Sequence, residues 1–246
     1  ANVLLFLVTV GIWGMSFFAT TFQLGVVPLE VSVAYRFALG ALIFLAFALA
    51  TGRSLRFPAR DHVAFLLIGA FLYSLQFVSG YRSIELIASG LTTLAFSTIV
   101  LFNIGLGVVF LKAPFEPRII VGAALGVGGI AMVFWPDVTA FEAGDLALAG
   151  LGFAILSAVL ASAGHILSVR IQRHGIPIVQ INAFGMAYGA IISAVFGFVR
   201  GKSFAFDWST AYTGSLAFLV IVSTVLGFAL YLTLLGRIGA ARAGYV

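Results

Sequence analysis

Cysteine is absent from the 246 residues, which excludes a disulfide framework, thiolate metal sites and thiol nucleophiles. Charge is scarce as well. Aspartate, glutamate, lysine and arginine together make up 9% of the chain, against roughly 25% in soluble domains. Ten-residue segments of alternating polarity, the mark of a membrane β-barrel, do not occur. Neither HExxH nor a comparable metal spacing is present, and no nucleophile stands beside a candidate base. Hydrolytic and metal-dependent enzymes therefore have no visible machinery, and no cofactor is expected.

What the chain has instead is apolar bulk: 62% hydrophobic residues and a mean hydropathy of +1.18. A water-soluble fold could not hide this much apolar surface. In lipid the backbone must satisfy its own hydrogen bonds, and a helix crosses with roughly 20 apolar residues. Eight complete spans are predicted: Val3 to Phe22, Leu29 to Ala50, Val63 to Gly80, Leu91 to Leu111, Ile119 to Trp135, Leu146 to Val169, Ile176 to Val199 and Tyr212 to Leu235. A ninth begins near Ala240. The fold class expected is an all-α integral membrane protein, with the first run retained because it lacks a basic segment before it.

The net charge of +5 comes mostly from short loops between these runs. Arg53, Arg56, Arg60, Lys112, Arg118, Arg170, Arg173, Arg237 and Arg242 fall in alternate loops, against Arg82, Arg200 and Lys202 on the other side. The positive-inside bias then puts the N-terminus in the cytoplasm. Nucleic acid is not an expected partner of cations spaced in this way. The lipid bilayer is.

Sliding the sequence by 149 residues, Pro28 onto Pro177, superposes PLEVSVAYRFALGA on PIVQINAFGMAYGA with identities at Pro28/Pro177, Ala34/Ala183, Ala38/Ala187, Gly40/Gly189 and Ala41/Ala190. At nearly the same offset SIELIASGLTT (Ser83 to Thr93) falls on LLGRIGAARAG (Leu234 to Gly244), a helix-break pattern in both halves. Each unit holds five spans, an odd number, so the second unit must lie upside down relative to the first. Residues 1–140 and 145–246 are the two units expected, for ten helices in all, with about 40 residues needed to complete the second.

GIWGMSF (Gly11 to Phe17), YRFALGALIF (Tyr35 to Phe44), SIELIASGLTTL (Ser83 to Leu94) and GVGGIAMVFW (Gly126 to Trp135), in this order, resemble the ten-helix, EamA-type members of the drug/metabolite transporter superfamily. The resemblance covers the whole chain and extends to bacterial amino-acid exporters, including the aromatic amino-acid type. It implies a bacterial inner-membrane exporter working by alternating access. It also implies a central cavity formed mainly by helices one, three, four, six, eight and nine. Family members carry an aromatic residue where this chain has Ser162, so an aromatic substrate does not carry over.

Polar groups inside the spans are the candidates for the substrate site, because hydrocarbon penalises them unless they face a partner or a wet cavity. His165 is the single histidine within a span. The 149-residue offset pairs it with Ser16, and pairs Ser162 with Trp13, each pair three residues apart on one helical face. Tyr73 and Gln76 share a face of the third span with Phe77 beside them, opposite Phe228, and Ser97 is the candidate of the fourth. Arg36, about 10 Å into the second span, either neutralises a substrate carboxylate or snorkels to the headgroups. Its repeat partner is Gly185 and the second span is peripheral in the family, which favours an anchor, with charge reversal affecting expression more than affinity.

Gly90 and Gly239, at matching repeat positions, are hinge candidates, whereas Gly105, Gly107, Gly122, Gly126, Gly128 and Gly129 read as helix-packing glycines. No aspartate or glutamate lies inside spans one to eight. A proton-coupled carrier commonly needs one at midplane, so uncoupled transport or weak coupling through His165 is expected. The reading is an exporter of a small-molecule substrate, an amino acid or related metabolite. A nucleotide-sugar carrier is the nearest alternative, and a passive channel or an intramembrane enzyme is disfavoured. The sequence leaves the oligomeric state open.

Overall fold

The computed structural model describes residues 2–114, 117–133, 135–140 and 144–243. The predicted continuation of the ninth span past Ala243, the loop acids Glu116 and Glu142, and the Phe134 step of the fifth span lie outside the described residues. The described chain is helical, without strands. Long helices are α1 (Asn2–Thr21), α2 (Leu29–Ala50), α3 (Ala59–Leu86), α4 (Ser89–Leu111), α5 (Pro117–Val133), α6 (Asp145–Arg173), α7 (Ile178–Val199) and α8 (Thr210–Ile238), followed by the short α9 (Ala240–Ala243). Seven of them are long and apolar enough to cross a membrane, and α5, at 17 residues, is a shorter apolar helix. Large apolar side chains cover the outside, with Met132 76% and Phe198 75% exposed, as lipid contact requires.

The helices begin where the backbone can spare a donor. Pro28, Pro58 and Pro177 immediately precede α2, α3 and α7, and Pro117 opens α5; proline's missing N–H costs nothing in a first turn. Several helices overrun the predicted spans because their polar ends continue the helix beyond the apolar core. Asp145 sits in the first turn of α6, and Arg170 and Arg173 in its last, the polarity that suits the helix dipole.

Repeat-related helices α2 and α7 start 149 residues apart, each after a proline, and each runs for 22 residues. They pack against each other along much of their length. They are antiparallel: Glu30 at the start of α2 meets Arg200 beyond the end of α7 at 3.8 Å, while Gln180 at the start of α7 donates to the Ser54 carbonyl beyond the end of α2 at 3.2 Å. Gly189 on another face of α7 brings that helix close to α3. A Cβ there would lie 2.6 Å from Tyr73 Cβ and 3.0 Å from the Gly69 carbonyl oxygen.

Two departures from regular helix were not predicted: π-helical segments at Phe71–Leu75 within α3 and Leu219–Leu226 within α8. Like the repeat itself, they recur about 150 residues apart. The predicted break at Ser89-Gly90 falls slightly earlier, at Ile87 and Ala88, which adopt extended backbone. Gly239 breaks the chain between α8 and α9 with φ +83°, a backbone state that glycine tolerates.

Among the described residues, the packing role predicted for Gly105, Gly107, Gly126, Gly128 and Gly129 is not what the structure has. A Cβ at Gly105, Gly126, Gly128 or Gly129 would meet no atom within 4 Å, and at Gly107 would make only ordinary contact with Ile166 at 3.8 Å. Helix α5 lies at the margin of the described bundle, with Ala123 its one buried residue, so among the described residues no backbone approaches Gly126, Gly128 or Gly129.

Candidate functional site

Within the bundle lies a cavity of about 540 Å³. Helices α1, α3, α4, α6 and α8 supply most of its wall, joined by Arg36 of α2, one face of α5, and Ala243. The participation of α2 and α5 exceeds the helix set implied by the family resemblance. Of the predicted site residues, Trp13, Ser16, Gln76, Phe77, Ser97, His165 and Phe228 reach the wall, as does the hinge candidate Gly90. Gly239 borders a separate small cavity instead, together with Asn103 and Arg173.

Tyr73 and Ser162 stay off the main cavity's wall. Tyr73 is fully buried and turned toward α7, where its hydroxyl donates to Asn182 Oδ1 at 2.6 Å. It fills the space that Gly185 leaves, since a Cβ there would lie 2.8 Å from Tyr73 Cε2. The π segment Phe71–Leu75 explains the misplacement, because an added residue in the turn rotates Tyr73 away from the face that carries Gln76. Ser162 is fully buried with its hydroxyl unpaired.

The aromatic part of the wall centres on Tyr231, which the sequence reading missed. Its ring lies 4.6 Å from Trp13 and 4.9 Å from His165, and its hydroxyl is 3.2 Å from His165 Nδ1. Trp13 in turn packs on Phe228 at 5.3 Å, and its indole N–H donates to the Ser223 carbonyl at 3.3 Å. Phe228 and Phe77 face each other at 6.3 Å. The serines contribute little free polarity: Ser16 and Ser97 both donate to carbonyls of their own helices, which satisfies those hydroxyls locally. Ser157 of α6 donates to the Gln76 carbonyl at 2.9 Å and ties α6 to α3.

Arg36 corrects an expectation. It does not snorkel: it is 3% exposed and forms part of the cavity wall. Its Nε donates to Thr224 Oγ1 at 2.8 Å, Nη2 to Ser223 Oγ at 2.9 Å and Nη1 to the Tyr81 hydroxyl at 3.4 Å. The guanidinium also lies over the Phe77 ring at 4.7 Å. The side chain turns inward because α8 offers it hydroxyls at membrane depth. The serine-threonine pair in the otherwise apolar run LVIVSTVL was the available signal. Among the described residues no carboxylate lines the cavity, and no group of three acidic or histidine side chains gathers as a metal would need.

A multi-span helical membrane protein with a mostly apolar internal cavity, partly walled by aromatic rings and carrying inward-facing polar groups, is the class these features define. The EamA-like transporter family model matches residues 1–135 and 148–246, and the chain belongs to that family, a branch of the drug/metabolite transporter superfamily. It is a multi-pass membrane transporter. No curated protein sequence matches it. One solved protein crystal structure has the same fold, with a TM-score of 0.79 over 99% of this chain and 82% of its own, at 20% identity.

Proposed function

We propose that this transporter exports a small amphipathic metabolite, an amino acid or close relative, across the bacterial inner membrane. It does so by alternating access between two inverted repeats, residues 1–140 and 145–246. The observation that carries the reading is the mostly apolar wall of the 540 Å³ cavity, to which the rings of Trp13, Phe77, Phe228 and Tyr231 contribute and on which Gln76, His165 and Arg36 stand among hydroxyl side chains. Apolar walls with sparse, placed polar groups suit a solute with one apolar and one polar end. The antiparallel pairing of α2 with α7 supports the inverted arrangement, in which one unit rocks against the other around a central site. A nucleotide sugar fits less well, since its phosphates call for more cations than Arg36.

Counterflow in proteoliposomes, with amino acids, nucleotide sugars and purines as trial solutes, tests the proposal. Exchange of at least one amino acid is expected, at a rate indifferent to an imposed pH gradient because no carboxylate among the described residues lines the cavity. If no amino acid exchanges, the substrate class is wrong. Accumulation driven by the gradient would instead make His165 the coupling group.

A further inference from the structure

Arg36 holds a positive charge at membrane depth, yet all its partners are neutral. Five N–H groups project from a guanidinium. The contacts to Thr224, Ser223 and Tyr81 use one each on Nε, Nη2 and Nη1. One N–H on Nη1 and one on Nη2 remain without a partner among the described residues. Nor does any described carboxylate come within 4.0 Å: Glu30 faces Arg200 at 3.8 Å and Glu85 faces Arg82 at 2.6 Å. A buried cation lacking a counter-charge is costly. The Phe77 and Phe37 rings, at 4.7 and 5.5 Å, offset part of that cost. An anion arriving through the cavity would offset the rest.

We propose that Arg36 is the anion subsite of this cavity, receiving the carboxylate of the solute on the unpaired N–H groups of Nη1 and Nη2. That geometry is the fork with which arginine recognises a carboxylate. The assignment rests on the cavity being the solute's path. Phe77 touches the guanidinium on one side and faces Phe228 on the other, so the apolar wall begins within one ring of the charge. A solute bound there has a carboxylate at one end and an apolar body running toward Phe228 and Trp13. The site is single. At the repeat-related position stands Gly185, whose space Tyr73 occupies, so a monocarboxylate is favoured over a dianion. With no carboxylate among the described residues of the wall to receive an ammonium group, the carboxylate is the dominant polar handle.

Thermal stabilisation of the purified protein by four probes decides the matter: L-phenylalanine, its primary amide, 3-phenylpropionate and 3-phenylpropionamide. Each acid is expected to bind at least about tenfold more tightly than its amide, the size of a charge-assisted hydrogen bond. Arg36→Gln should erase the preference and Arg36→Lys retain part of it. Equal binding of acid and amide by the unmodified protein overturns the subsite, as does no binding by either acid. That comparison needs no variant, so a misfolded Arg36→Gln leaves the test intact. A preference that survives in folded Arg36→Gln overturns it too. Amino-acid exchange without acid preference would keep the transport reading and remove the subsite. Acid preference without exchange of any amino acid would do the reverse.

Discussion

Tyr231, held between Trp13 and His165, and Tyr73, hydrogen-bonded to Asn182, are both buried tyrosines with different neighbours. The first belongs to the cavity wall and the second to the α3–α7 interface, and this difference can be measured. Tyr73→Phe leaves the buried Asn182 Oδ1 without its donor, beside an Asn182 Nδ2 that already lacks a partner. A cost of about 1–3 kcal/mol in stability is expected, with the KM of counterflow unchanged because Tyr73 does not reach the solute. His165→Ala is expected to lower transport about tenfold, the loss of roughly one hydrogen bond at 1.4 kcal/mol per decade, and to cost some stability as well because it leaves the buried Tyr231 hydroxyl without its partner. Thermal unfolding in detergent and initial rates in proteoliposomes read the two quantities separately. A raised KM in Tyr73→Phe would move that residue into the solute path, and an unchanged rate in His165→Ala would remove the histidine from it.

Among the elements, α2 and α7 show what hydropathy and repetition make legible. Their apolar runs exceed the length a bilayer demands, a proline marks each start, and the 149-residue offset sets them in register. The side on which each inward residue falls was less legible. The π segments of α3 and α8 contain neither proline nor glycine, so nothing local announces the added residue that turns Tyr73 toward α7. Arg36 was misjudged for a related reason, because its hydroxyl partners lie 187 and 188 positions away and the choice between snorkelling and turning inward depends on them. Glycines were misassigned because small-residue spacing looks the same whether or not a neighbouring backbone lies close. A paired substitution separates the two kinds. Gly189→Val should lower stability by about 1–3 kcal/mol or more, as overpacking does, since even a Cβ meets Tyr73 and the Gly69 carbonyl. Gly128→Ala, whose Cβ would meet nothing within 4 Å, should leave the midpoint unchanged or raise it slightly through helix propensity. Equal loss in both would mean that α5 is packed as tightly as α7.

At the scale of the whole molecule, the proposed inverted arrangement carries a sidedness that can be tested. Arg56, between α2 and α3, lies at the end of the bundle where α2 finishes and α7 starts. Lys202 follows α7, near the beginning of α2, at the opposite end. Both are exposed. On the orientation expected from the excess of arginine and lysine on the Arg56 side, that end would face the cytoplasm, with the N-terminus of α1 beside it. Because this chain has no cysteine, Arg56→Cys and Lys202→Cys can each be labelled without background. In intact cells a membrane-impermeant maleimide is expected to label Lys202→Cys at least about tenfold faster than Arg56→Cys, and permeabilisation should equalise the two. The reverse pattern would turn the molecule over in the membrane, with the repeat intact. Labelling of both from one side would contradict the antiparallel pairing of α2 and α7 itself, and with it the rocking of one unit against the other on which the transport proposal depends.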